Sequence, residues 1–81
     1  MEANATELKK ELKKGLDLLR TLRDEVRVKL HLAGMDLKER WNKLEPYVID
    51  VEKAAENVSE ASRAKVAEAV KKLQEFRASL R

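Results

Sequence analysis

The sequence predicts an all-α domain, a small antiparallel three-helix bundle, and three observations predict it. Ala, Glu, Lys, Leu and Arg supply 51 of the 81 residues, above the share of roughly half that marks long helices and coiled coils. Large apolar residues recur at every third or fourth position along most of the chain, the spacing that lines one face of a helix. Strong punctuation is confined to Gly15, Gly34 and Pro46, so the turns are few. A helical hairpin with one very long second arm, assembling as a dimer, is the alternative architecture.

The first helix is expected over roughly 5–33, because Asn4 can cap its first turn while Glu7 reaches back to form a capping box. Leu8, Leu12, Leu16, Leu19, Leu22, Val26, Leu30 and Ala33 fall within a stripe of about 120° when each residue advances by 100°. Gly15 lies on that stripe and costs about 1 kcal/mol relative to alanine; a close backbone approach, a local bend or chance retention accounts for it. The stretch VRVKLHL from Val26 to Leu32 alternates apolar and polar residues like a strand. A strand there would abandon a helical register that is still satisfied, and only YVIDV, Tyr47 to Val51, could pair with it. The helical reading is therefore preferred. It places Val28 and Leu32 about 200° and 240° from Val26, so the last turns are apolar on two sides.

Gly34 is expected to close this helix in the left-handed conformation, with Met35 covering Leu30. Asp36 and Glu39 then read as a second capping box. The second helix, roughly 37–56, carries Leu37, Trp41, Leu44, Val48, Val51, Ala55 and Val58 in a seven-residue repeat. Pro46 lies inside it, removes the bond from its own nitrogen to the carbonyl of Asn42 and predicts a kink, because the stripe keeps its phase across it. From Val58 to Val66 the register slips by one residue, which is a stutter in one long helix or a turn between two. Asn57 with Glu60, or Ser59 with Ser62, could start a third helix over roughly 60–80, striped by Val66, Ala69, Leu73, Phe76 and Leu80.

The charges are balanced and interleaved: 18 Lys and Arg against 15 Asp and Glu leave a formal net of +3. Alternating signs in ELKKELKK and EAVKKLQEFR suit solvated faces and pairs such as Glu25 with Lys29 and Glu68 with Lys72 better than a phosphate-tracking surface. There is no cysteine, so neither a disulfide nor a thiolate metal site is available, and a cytoplasmic setting is expected. The N-terminal MEANATELKKELKK has no apolar core of a secretory signal. No run approaches the roughly 20 apolar residues of a membrane span.

Catalytic signatures are missing. His31 is the single histidine, without an H-x-x-x-H partner, and reads as a surface residue near a helix C-terminus. Ser59, Ser62 and Ser79 have no matching base, and two isolated glycines cannot build a phosphate loop. Trp41, on the stripe, is assigned to the core, and Tyr47 to its edge with a buried ring and a wet hydroxyl. No catalytic residue, cofactor, metal or small-molecule substrate is inferred.

The expected function is a non-catalytic structural or protein-interaction module whose partner is itself or another helical protein. A first helix of about 42 Å against neighbours of about 30 Å would leave Leu8 and Leu12 without a covering helix. Leu8, Leu12, Val28, Leu32 and Ile49, which falls off the stripe of the second helix, are the candidate interaction surface, although Ile49 is not expected to share one patch with Leu32. The less favoured alternative is peripheral binding of an anionic membrane surface or nucleic acid through Lys9, Lys10, Lys13 and Lys14, with the leucine stripe turned outward.

Overall fold

The computed structural model describes residues 2–80, and the side chains of 6–80. Three helices, α1 (Glu2–Leu30), α2 (Met35–Ala54) and α3 (Glu60–Ser79), pack as a bundle, with no strand among the described residues. The alternating stretch that begins at Val26 is therefore helical to Leu30. The long-arm hairpin is ruled out by a turn at 55–59.

Ion pairs between helices give the topology. Glu11 with Arg63 and Glu25 with Arg77 are both separated by 52 residues, so α3 runs parallel to α1 in a constant stagger. Arg23 meets Glu52 while Arg27, farther along α1, meets the earlier Glu45, so α2 runs antiparallel. The result is a rod with extents of 49 × 18 × 14 Å.

The core follows the apolar stripes. Leu19, Val26, Val48, Ala69 and Leu73 have no exposed surface, and Trp41 packs its ring against Phe76 at a centroid distance of 5.8 Å. Half-buried Tyr47 lies at the edge of this core. Gly15 is explained by close approach: a Cβ built on it would lie 2.7 Å from Cγ1 of Val66, so glycine lets α1 and α3 come together there. α2 is helical straight through Pro46, which faces solvent beside exposed Asn42. On that side water can hydrate the carbonyl that proline leaves without a donor.

Several local expectations are corrected. The backbone is already helical at Asn4, so the helix does not begin at a cap there; the side chain of Asn4 lies outside the described residues. α1 ends at Leu30 by tightening, with the amides of His31, Leu32 and Ala33 donating to the carbonyls of Val28, Lys29 and Leu30 at 3.4, 3.1 and 3.0 Å. These three-residue bonds satisfy carbonyls of the last turn without a left-handed residue. Gly34 is extended, at φ −73° and ψ 170°, and serves as the N-cap of α2. Asp36 therefore lies inside the first turn, where its charge favours the helix N-terminus but makes no capping box.

The second turn is settled by two hydroxyls. Ser59 caps α3, its Oγ accepting from the amide of Ser62 at 3.1 Å and donating to Oγ of Ser62 at 3.0 Å. The Ser62 hydroxyl in turn donates to the carbonyl of Ala54 at 2.9 Å. One small network thus satisfies the end of α2 and the start of α3. Val58, expected on the stripe of α2, lies in this turn and is exposed.

Candidate functional site

The bundle divides the expected surface residues into two groups. Leu12 is 3 % exposed and belongs to the same core as Ala55 and Val66, while Leu8 is half-buried. The reason is the stagger: a separation of 52 residues sets the start of α3 opposite Leu8, so α3 covers Leu12. Leu12 is therefore a core residue and not a free apolar one, contrary to the expectation from helix lengths. Val28 and Leu32 remain 69 % and 90 % exposed, and Met35 is 74 % exposed, so Met35 does not cover Leu30 as expected. Three of the large apolar side chains left to solvent thus lie at or beside the α1–α2 turn, while Leu18 and Val58, 44 % and 46 % exposed, lie elsewhere. Ile49, 39 % exposed on α2, lies apart from them.

Lys9, Lys10, Lys13 and Lys14 are all exposed, and none joins an ion pair among the described residues. The leucine stripe of the same helix does not turn outward, since Leu12, Leu19 and Leu22 are buried in the core, and only Leu18, off the stripe, is exposed. An intact bundle offers this end of α1 as a charged surface and not as an amphipathic helix able to enter a bilayer. Among the described residues, no helix is long and apolar enough to cross a membrane.

The outer side of α1 carries Asp17, Thr21, Asp24 and Val28, all exposed. Their spacing of three, four and seven puts them on one face. Thr21, Asp24, Glu25, Val28 and Lys29 line an open depression of about 380 Å³. Glu25 reaches across to Arg77 at 2.6 Å instead of pairing with Lys29. Glu68 does pair with Lys72, at 3.5 Å.

A wider groove of about 510 Å³ opens between α2 and α3, with Leu44 and Phe76 in its floor and Arg40, Lys43, Lys72 and Glu75 along its sides. Here each helix lays a cation over the other's ring. The Arg40 guanidinium of α2 stands 5.9 Å from the ring centre of Phe76, and the Lys72 ammonium of α3 stands 4.6 Å from that of Tyr47. The ring quadrupoles favour these positions without neutralising the charges. Sequence reading missed this groove because its cations come from two helices.

Arg63 has its guanidinium held further toward the charged form by its hydrogen bond to Glu11, with Glu60 adding to the effect. His31 is exposed beyond the end of α1. Among the described residues no group of three His, Cys, Asp or Glu could hold a metal ion. Comparison with protein families, with curated proteins and with solved structures found no match for this chain.

Proposed function

We propose that this protein is a non-catalytic interaction module that associates with a second copy of itself. The observation behind this reading is the exposure of Val28, Leu32 and Met35 at 69, 90 and 74 % in a chain whose stripe residues are largely buried. Large aliphatics gathered at one end of a small domain are the usual raw material of an interface. The absence of cysteine supports a cytoplasmic setting. Equilibrium sedimentation tests the proposal: wild type should show a mass that rises with protein concentration, and Val28→Glu with Leu32→Glu should remain monomeric. Both side chains are exposed, so the variant should keep its helical content. A wild type that stays monomeric at millimolar concentration refutes self-association.

A second reading rests on the four exposed lysines of α1. It would have Lys9, Lys10, Lys13 and Lys14 contact phosphate groups at the protein surface. Retention on anionic vesicles or DNA at low salt, lost when the four are changed to glutamine, would favour it over the first.

A further inference from the structure

We infer that two copies of this chain also join by exchanging α1, with α1 and α2 of each copy running on as one continuous helix; this goes beyond association through Val28, Leu32 and Met35 and does not depend on it. Register comes first. Carried through the α1–α2 turn at about 100° per residue, Val26, Leu30, Ala33, Leu37, Trp41 and Leu44 fall within an arc of about 80°. Val26, Leu30 and Trp41 are buried, and Ala33, Leu37 and Leu44 pack against the same core. An arbitrary link between two helices would set their stripes in unrelated phase. Here the link has a length that keeps one apolar face on one helix.

The two turns differ in what holds them. The 55–59 turn is tied by the hydroxyls of Ser59 and Ser62 to the carbonyl of Ala54, and Trp41 against Phe76 joins α2 to α3 near the other end. These two helices therefore move as a pair. The α1–α2 turn has no such tie: Gly34 gives α2 no side-chain cap, His31, Leu32 and Gly34 are exposed, and the first of its three tightening bonds is 3.4 Å long. Its backbone uses no residue of positive φ. Straightened into a helix, the turn gains bonds from the amides of Gly34, Met35, Asp36 and Leu37 to the carbonyls of Leu30, His31, Leu32 and Ala33.

Native contacts select the occupant. In the closed chain α1 is joined to the α2–α3 pair by Glu11 with Arg63, Glu25 with Arg77 and Arg23 with Glu52, and by Val66 lodged at Gly15. Each of these is remade between copies, because α1 of one copy then lies antiparallel to α2 of the other as it does to its own. Exchange of an identical element is a low-cost route to a dimer, since the interface is the one the chain already folds with. The continuous helix from Glu2 to Ala54 would span about 80 Å, against a closed rod of 49 Å. Gly34 holds the balance toward the closed form, being costly inside a helix and extended at the cap of α2. The exchanged dimer forms when chains fold together, not when folded monomers meet.

Refolding with the apolar patch removed tests the exchange. Val28→Gln with Leu32→Gln strips the patch without charging the turn. This parent, unfolded in urea and refolded at millimolar concentration, should yield an elongated dimer on size exclusion that dissociates on dilution no faster than the chain unfolds. Adding Gly34→Ala, where a Cβ meets nothing within 4 Å in the closed form, should raise the association constant roughly twentyfold, since one glycine is replaced in each of two helix interiors. Adding Gly34→Pro, whose ring accepts the φ of −73° but breaks a continuous helix, should leave monomer alone. If circular dichroism shows that the proline variant has lost its helices, the alanine comparison decides, and an unchanged dimer yield overturns the exchange. A dimer that dissociates faster than the chain unfolds overturns it, as does its absence from both the parent and the alanine variant; association through Val28, Leu32 and Met35 is untouched by either result. The expected dimer, beside a folded wild type that sediments as a monomer, supports the exchange and refutes the patch.

Discussion

The two seams that α1 makes with its neighbours are built from different materials. Toward α3 the contact is close and apolar, with Gly15 admitting Val66 and Leu19, Ala69 and Leu73 sealed from solvent. Its ion pairs, Glu11 with Arg63 and Glu25 with Arg77, lie at the rim with side chains about half exposed. Toward α2 the charges lie deeper. Glu52, with its side chain 14 % exposed, receives both Arg20 and Arg23, and the Nε of Arg23 is buried without an acceptor. Shape holds the first seam together. In the second, partly buried charges stand beside the apolar core. A buried ion pair is weak evidence of stability but costly to break from one side.

The largest effect should come from the apolar seam. Leu73→Ala opens a cavity at a fully buried position and should cost about 2–5 kcal/mol, read by urea unfolding as a lower midpoint. For a domain of this size that is a large share of the total stability. On the ionic side, Glu52→Ala strands Arg23 beside its already unsatisfied Nε and should cost about 1–3 kcal/mol. Changing both Glu52 and Arg23 to Met should recover most of that loss, since it removes the uncompensated charge along with the pair. If Glu52→Ala is as harmless as an exposed substitution, the distinction between the seams fails.

Gly15 sharpens the same comparison through a change of sign. In the wild-type background Gly15→Ala drives a methyl to within 2.7 Å of Val66 Cγ1. Valine is stiff about its first side-chain torsion, so the strain should reach about 1–3 kcal/mol and outweigh the gain of about 1 kcal/mol in helix propensity. With Val66→Ala the obstruction is gone, and the same Gly15→Ala should stabilise by about 1 kcal/mol. Paired thermal melts of the four proteins measure the reversal.

Much of this architecture was legible because burial repeats with the helix. Leu19, Val26, Val48 and Leu73, each picked out by periodicity, are fully buried. The turn at Ser59 is visible in the sequence only as one of two caps, since a register slip does not reveal that Ala54 offers the Ser62 hydroxyl a carbonyl. Gly34 misled because glycine permits a left-handed turn without requiring one, and the backbone of His31 to Ala33 had already closed the helix. Leu12 misled for a different reason. Helix lengths cannot report the stagger that brings α3 over it. For the candidate surface, Val28 and Leu32 stood out as aliphatics opposite the stripe, whereas Met35 was assigned to a contact it does not make. Arg40, Lys43 and Lys72 became a set only once α2 and α3 lay side by side.

The smallest effect belongs to the rim of the apolar seam. Glu11 and Arg63 meet at 2.6 Å, but their side chains are 55 % and 47 % exposed, so solvent screens most of the attraction. A double-mutant cycle with Glu11→Ala and Arg63→Ala should give a small coupling that is largely lost in 1 M salt, where the Debye length is about 3 Å. The same cycle on Glu52 and Arg23 should keep most of its larger coupling at that salt, because deeper charges are screened less. Arg63 is held further toward its charged form by Glu11 and Glu60. Stability from that raised pKa is present below the ordinary arginine range and lost only as pH rises above it, so Arg63 should contribute no stability change near neutrality. Equal salt sensitivity of the two couplings would mean that both seams meet solvent alike, and the contrast between them would reduce to the close approach at Gly15.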